Sequence, residues 1–200
     1  MGFFSKLFGN QKSSQISEDI ETHNKIVDFA KTLAENAFVS GETLKPHFIP
    51  NSKEDELTIP IDVCFEFLYF YSHLAMRYAH SILGQKKRTI LQKKLGPLIV
   101  EPIVTAYFDH WPEDKKRGIE IDFYKNLNDA ELEYSSCKEL LTKDINFEGT
   151  SLLSKLGITV ADVSGNPMNH DVIMVVIDTA MQSIKKMKLE DSIKSFKDVL

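Results

Sequence analysis

The chain has 200 residues, 42% of them hydrophobic and 26% charged, enough for one globular domain with its own core. Thirteen Phe, nine Gly and seven Pro argue against a disordered chain, a collagen-like array or a turn-dense all-β fold. Lys and Arg number 24 against 29 Asp and Glu, and a net charge of −5 argues against nucleic acid as a partner, since phosphate neutralisation supplies most of that affinity.

Apolar residues recur every three and four positions along the chain, which predicts an all-α fold. We read residues 1–15 as a flexible or interfacial segment and 16–200 as a single-domain bundle of about five main helices around a central apolar helix, 60–84. The N-terminus carries Phe3, Phe4, Leu7 and Phe8 on one helical face, with Ser5 and Lys6 opposite. The apolar run is interrupted and no small-x-small site follows, so it does not read as a signal peptide. A polar tether, Asn10 to Gln15, comes next.

The first helix is predicted from Ser17, its N-cap, to Val39, ended by Gly41. Ile16, Ile20, Val27, Ala30, Ala34 and Ala37 form its stripe, widened by Ile26, Phe29 and Leu33. Residues 41–60 carry three prolines and Glu54-Asp55-Glu56, with a short capped turn at Ser52. The second helix is expected to start at Pro60 and end at Gly84. A third stretch, 86–111, is expected to break at Gly96-Pro97 and to restart or kink at Pro102. The fourth helix reads from Glu113 to Leu141 through Ile119, Phe123, Leu127, Ala130, Tyr134 and Cys137. A loop over 142–168 holds a short helix at 151–156 capped by Thr150. Ile158-Thr159-Val160 is the only fragment resembling a strand. Asn169 caps a helix over 170–187, and 189–199 forms a small terminal one.

Cys64 and Cys137 lie far apart among apolar neighbours. They read as buried free thiols in a reducing compartment rather than metal ligands. No span is apolar enough to cross a membrane: the best, 61–83, holds Asp62, Glu66, His73, Arg77 and His80.

Those five residues are the most informative feature. At 100° per residue they fall, with Tyr69, within roughly 80° of one another on an otherwise apolar helix. The seam is either a solvent strip or the lining of a polar groove to which Asp62, Tyr69 and Arg77 contribute. Glu66, His73 and His80 are candidate ligands for a divalent metal, since carboxylate and imidazole suit such an ion. Each seven-residue step advances about 10.5 Å along the axis, so another helix would have to help.

His170-Asp171, with His110 upstream and Asp178 downstream, resembles in outline the metal-binding pattern of HD-type phosphohydrolases. The likeness covers one dipeptide and two loosely placed residues, and no family membership follows from it. If it held, it would imply an all-helical metal-dependent hydrolase. Lys86, Lys87, Arg88, Lys93 and Lys94 are candidates for contact with an anion or a membrane surface. Trp111, beside Pro112, reads as a packing corner. Glycine-rich phosphate loops, the nucleophile elbow and the His-Glu-x-x-His zinc motif are absent from the sequence.

Taken together, these features favour a non-catalytic, cytoplasmic helical interaction or adaptor protein with a protein partner and no cofactor. One alternative is a metal-dependent hydrolase or oxidase. Another is a peripheral membrane protein anchored through Phe3, Phe4, Leu7 and Phe8.

Overall fold

A computed structural model describes residues 4–141 and 150–200, with side chains from Ile20 onward. The chain is an all-α bundle, and its described residues form seven α-helices: α1 (Phe4–Leu44), α2 (Lys53–Ile99), α3 (Glu101–Phe108), α4 (Glu113–Ser135), α5 (Leu152–Val163), α6 (His170–Met187) and α7 (Leu189–Lys194). The described residues contain no strand. The stretch Ile158–Val160 lies inside α5, where burial of Leu152, Leu153, Leu156, Val160 and Ala161 outweighs its local β preference.

α2 is the core of the bundle. From Val63 to Met76 every residue is buried except the half-buried Glu66, and α1, α3, α4, α5 and α7 all pack on it. Its start differs from the expected one. The Ser52 hydroxyl accepts from the Asp55 amide at 3.1 Å, and the Asn51 amide donates to the Asp55 carboxylate at 2.8 Å. With Glu54, Asp55 and Glu56 in the first turn, the helix nucleates at Lys53 and Pro60 falls in its interior. The expected end is found: Gly84 breaks the helical path with φ 78°, ψ 167°.

Helix resumes after Gly84 and runs through Gly96-Pro97 to Ile99, burying Leu91, Leu95 and Ile99 at four-residue spacing. The expected break there does not occur. The true break is at Val100, and Pro102 sits in the first turn of α3. The Tyr124 hydroxyl donates to the Gly96 carbonyl at 2.9 Å, serving an acceptor that the end of α2 leaves open.

α1 buries Ile26, Phe29, Ala30, Leu33, Ala34 and Ala37, while Ile20 is exposed and Val27 half-buried. Its backbone begins well before Ser17, so Ser17 is not its cap, and it passes through Gly41 to stop at Leu44, ahead of Pro46. The Ser40 hydroxyl ties three helices together. It lies 2.9 Å from the Tyr71 hydroxyl and 3.1 Å from that of Ser183, and donates to the Asn36 carbonyl.

α4 ends at Ser135, before the expected Leu141, with the Ser135 and Ser136 hydroxyls turned back onto the carbonyls of Leu132 and Glu133. Ser151, not Thr150, caps α5, accepting from the Ser154 amide. α5 lies close on α6: a Cβ on Gly157 would come 2.8 Å from Ile173 Cγ2. α6 has the expected bounds, with the Asn169 side chain accepting from the Asp171 and Val172 amides. α7 is shorter than expected, and the turns after it place Phe196 edge-on against Phe29 of α1 at 5.6 Å. Both cysteines are buried and neither is in a disulfide, and burial pushes the Cys64 thiol up to about 12.

Candidate functional site

The polar seam of α2 faces α4, and the structure divides it into separate jobs. Arg77 forks onto the carbonyls of Cys137 and Lys138 at 2.7 and 2.9 Å, capping the chain where α4 has just ended. A planar guanidinium fits two neighbouring carbonyls, whereas an ammonium does not. Arg77→Gln is expected to cost about 2 kcal/mol of stability, and Arg77→Lys to recover only part of it, as measured by urea unfolding.

His73 is buried, its ring tilted against Tyr134 at 5.4 Å. Its Nδ1 lies 3.4 Å from the Glu131 carboxylate, which also approaches Arg88 at 3.8 Å. Neither ring nitrogen makes a hydrogen bond. His80 is exposed, with Nδ1 3.0 Å from the Gln85 amide oxygen.

Glu66 lines a small polar pocket of about 200 Å³ with Tyr69, Asn126, Asp129, Glu133 and Thr159. Burial, with the carboxylates of Glu133 and Asp62 adding, pushes its carboxyl up to about 7. The three candidate ligands are therefore not gathered. Among the described residues no group of three His, Cys, Asp or Glu side chains could hold a metal ion.

The other candidates are also dispersed. His170 and Asp171 sit exposed at the start of α6, His110 is exposed just beyond α3, and Asp178 accepts from Gln182. In the basic cluster, Lys87 donates to the Lys197 carbonyl and Arg88 faces Glu131, leaving Lys86, Lys93 and Lys94 exposed. Phe3 and the side chains of Phe4, Leu7 and Phe8 lie outside the described residues. No helix among the described residues is long and apolar enough to cross a membrane.

The feature that stands out is a groove of about 570 Å³ between the first turns of α2, the end of α3 and α4. Aromatic rings from all three elements form it. Phe123 of α4 packs on Phe65 at 5.3 Å and on Tyr69 at 5.0 Å, and Phe108 packs on Trp111 at 4.6 Å. Leu57 stands 73% exposed at one edge and Trp111 37% exposed at another, so apolar side chains meet solvent at both edges.

Glu54, Asp62 and Asp122 line this groove against one lysine, Lys125, while Lys115 sits 5.6 Å above the Trp111 ring. Burial raises the Asp62 carboxyl above its ordinary value. A second groove, of about 620 Å³, runs between α1, α3 and the α6–α7 corner past Phe38, Val39, Ile103 and Met187. Its charges, Glu35 and Lys186, are opposite and give it no net sign.

Of the residues singled out in the sequence, Asp62 and Tyr69 line the aromatic groove, Glu66 occupies the adjoining polar pocket, and Arg77 belongs to neither. Leu57 was missed, and Trp111 was read only as a packing corner. Leu57 did carry a signal, as the only large apolar residue in the polar run 51–58. Phe65 and Phe123 carried none, because an aromatic residue on a buried helical stripe reads as core. Compared with protein-family models, curated proteins and solved structures, the chain matches none.

Proposed function

We propose that this chain is a helical interaction protein that works by binding, and that the α2–α3–α4 groove is its binding surface. The observation that carries this reading is the convergence of aromatic rings from three elements on an open groove with Leu57 and Trp111 exposed at its edges. A concave apolar surface with a few converging polar groups is the usual form of a binding site. An exposed Trp such as Trp111 is among the residue types that supply most of the energy at protein interfaces.

Nile red, an uncharged dye that brightens in apolar surroundings, tests the surface directly. The wild-type chain should bind it saturably, and the double variant Leu57→Glu, Trp111→Glu should weaken binding at least about ten-fold, or about 1.4 kcal/mol, while keeping its helical circular dichroism. Equal dye binding by wild type and variant would place the apolar site elsewhere and remove this groove from the proposal.

A further inference from the structure

The groove also has a shape and a charge, and together they specify what it would take. The residues of α2 that line it run from Glu54 to Tyr69. Fifteen residue steps at the helical rise span roughly 22 Å, about the length of four turns of a second helix. Ile61 and Phe65 lie four residues apart between these ends, and Ile119 and Phe123 repeat that spacing on α4. Apolar rows at this spacing on two neighbouring helices suit the ridge of a third helix.

The charged residues of the lining are three carboxylates and one lysine, net negative. Glu54 and Asp62 are eight residues apart on α2, about 12 Å along the axis, and Asp122 lies across the groove on α4. Lys125 alone opposes them in the lining. Lys115 over Trp111 shows the chain's own way of satisfying that ring, an ammonium on its face.

Resting on the reading of the groove as a binding surface, we propose that its occupant is a cationic amphipathic helix of a partner protein. Leu, Ile or Phe at helical spacing fill the aromatic slot, and Lys or Arg on either flank meet Glu54, Asp62 and Asp122. Complementary rim charges of this kind set partner choice and association rate. The partner's stem methylenes lie along Leu57 and Ile61 while its charged ends reach the carboxylates.

The chain holds a single tryptophan, Trp111, and it lies in the groove, so its fluorescence reports occupancy without a label. The probes are three designed helical peptides of eighteen residues without tryptophan, sharing one Leu stripe and carrying Lys, Gln or Glu on the flanks. The Lys peptide should shift Trp111 emission saturably and bind at least about ten-fold tighter than the Glu peptide. The double variant Asp62→Lys, Asp122→Lys should reverse that order, and the surface control Lys86→Glu, Lys94→Glu should not change it.

If the Gln and Glu peptides bind as well as the Lys peptide, or the double variant binds the Lys peptide unchanged, the cationic partner is overturned and the binding surface stands. If Nile red binds the groove but no peptide does, the helical partner is overturned alone. If neither binds, both readings fail together. If sedimentation shows the chain pairing with itself through Leu57 and excluding the Lys peptide, the occupant is a second copy and the proposal is overturned.

Discussion

Replacing Gly165 by alanine is expected to destabilise the protein by about 2–5 kcal/mol, a fall in melting temperature on the order of 10 °C. Gly165 has φ 81°, in the left-handed region that L side chains rarely adopt. A Cβ there would run into the Ile49 carbonyl and lie 3.2 Å from Ile49 Cβ. The two effects add, at about 1–2 kcal/mol for the backbone and 1–3 for the overlap.

The contact is also well placed to matter. The Ile49 amide donates to the Ser164 carbonyl at 2.9 Å, and the Asn166 side chain donates to the His47 carbonyl at 2.6 Å. This loop therefore holds the segment that leads to Ser52, the start of α2 and the edge of the groove at Glu54 and Leu57. Gly84 supplies the control. Its φ is 78°, but nothing lies within 4 Å of a Cβ placed there. Gly84→Ala should cost only the backbone part, about 1–3 kcal/mol. Equal losses at the two glycines in thermal unfolding would show that the Ile49 contact is slack.

The second large effect is a pH dependence at Glu66. Burial and the neighbouring carboxylates raise this group in the folded protein from the ordinary 4.5 to about 7. Below about pH 4.5 it is protonated in both the folded and the unfolded chain, so it costs nothing. As pH rises toward 7 the unfolded chain releases the proton while the folded chain keeps it, and stability falls. Above 7 the penalty is complete.

Glu66→Gln removes the titration and keeps the shape. The variant should therefore gain on wild type by about 2 kcal/mol more at pH 8 than at pH 5, read from urea midpoints at the two pH values. A gain of the same size at both would show that Glu66 ionises freely, and that its pocket with Asn126 and Glu133 is open to water.

Local chemistry was legible wherever one residue decided it. Asn169 marked the start of α6 because a short polar side chain satisfies two amides by itself. Gly84 marked a break because its backbone angles suit no other residue. Prolines misled where the surroundings could absorb them. Pro60 sits eight residues into a helix that Ser52 had already nucleated, and Pro97 lies two residues before a helix end. Gly41 misled for the opposite reason: freedom to end a helix is no obligation to do so, and α1 ends only where Pro46 requires it.

The seam on α2 shows how far the sequence reaches. Periodicity alone placed Asp62, Glu66, Tyr69, His73, Arg77 and His80 on one face and required a reason for that face on a buried helix. Which helix covers the face is not a local property. α4 covers it, and in doing so turns Arg77 into a cap, buries His73 against Tyr134 and leaves Glu66 in a half-closed pocket. The groove is a still more collective feature, since Leu57, Phe65, Trp111 and Phe123 are distant in sequence and meet only when three helix ends converge.

By itself, then, the sequence determined that the chain is all-helical and that α2 lies at its centre, because helix formation and hydrophobic burial are written in the spacing of nearby residues. The tertiary structure alone decided which faces of that helix are covered and which stay open, because that depends on the angle and reach of helices far along the chain. The aromatic groove lies where the first turns of α2, the end of α3 and α4 leave a gap.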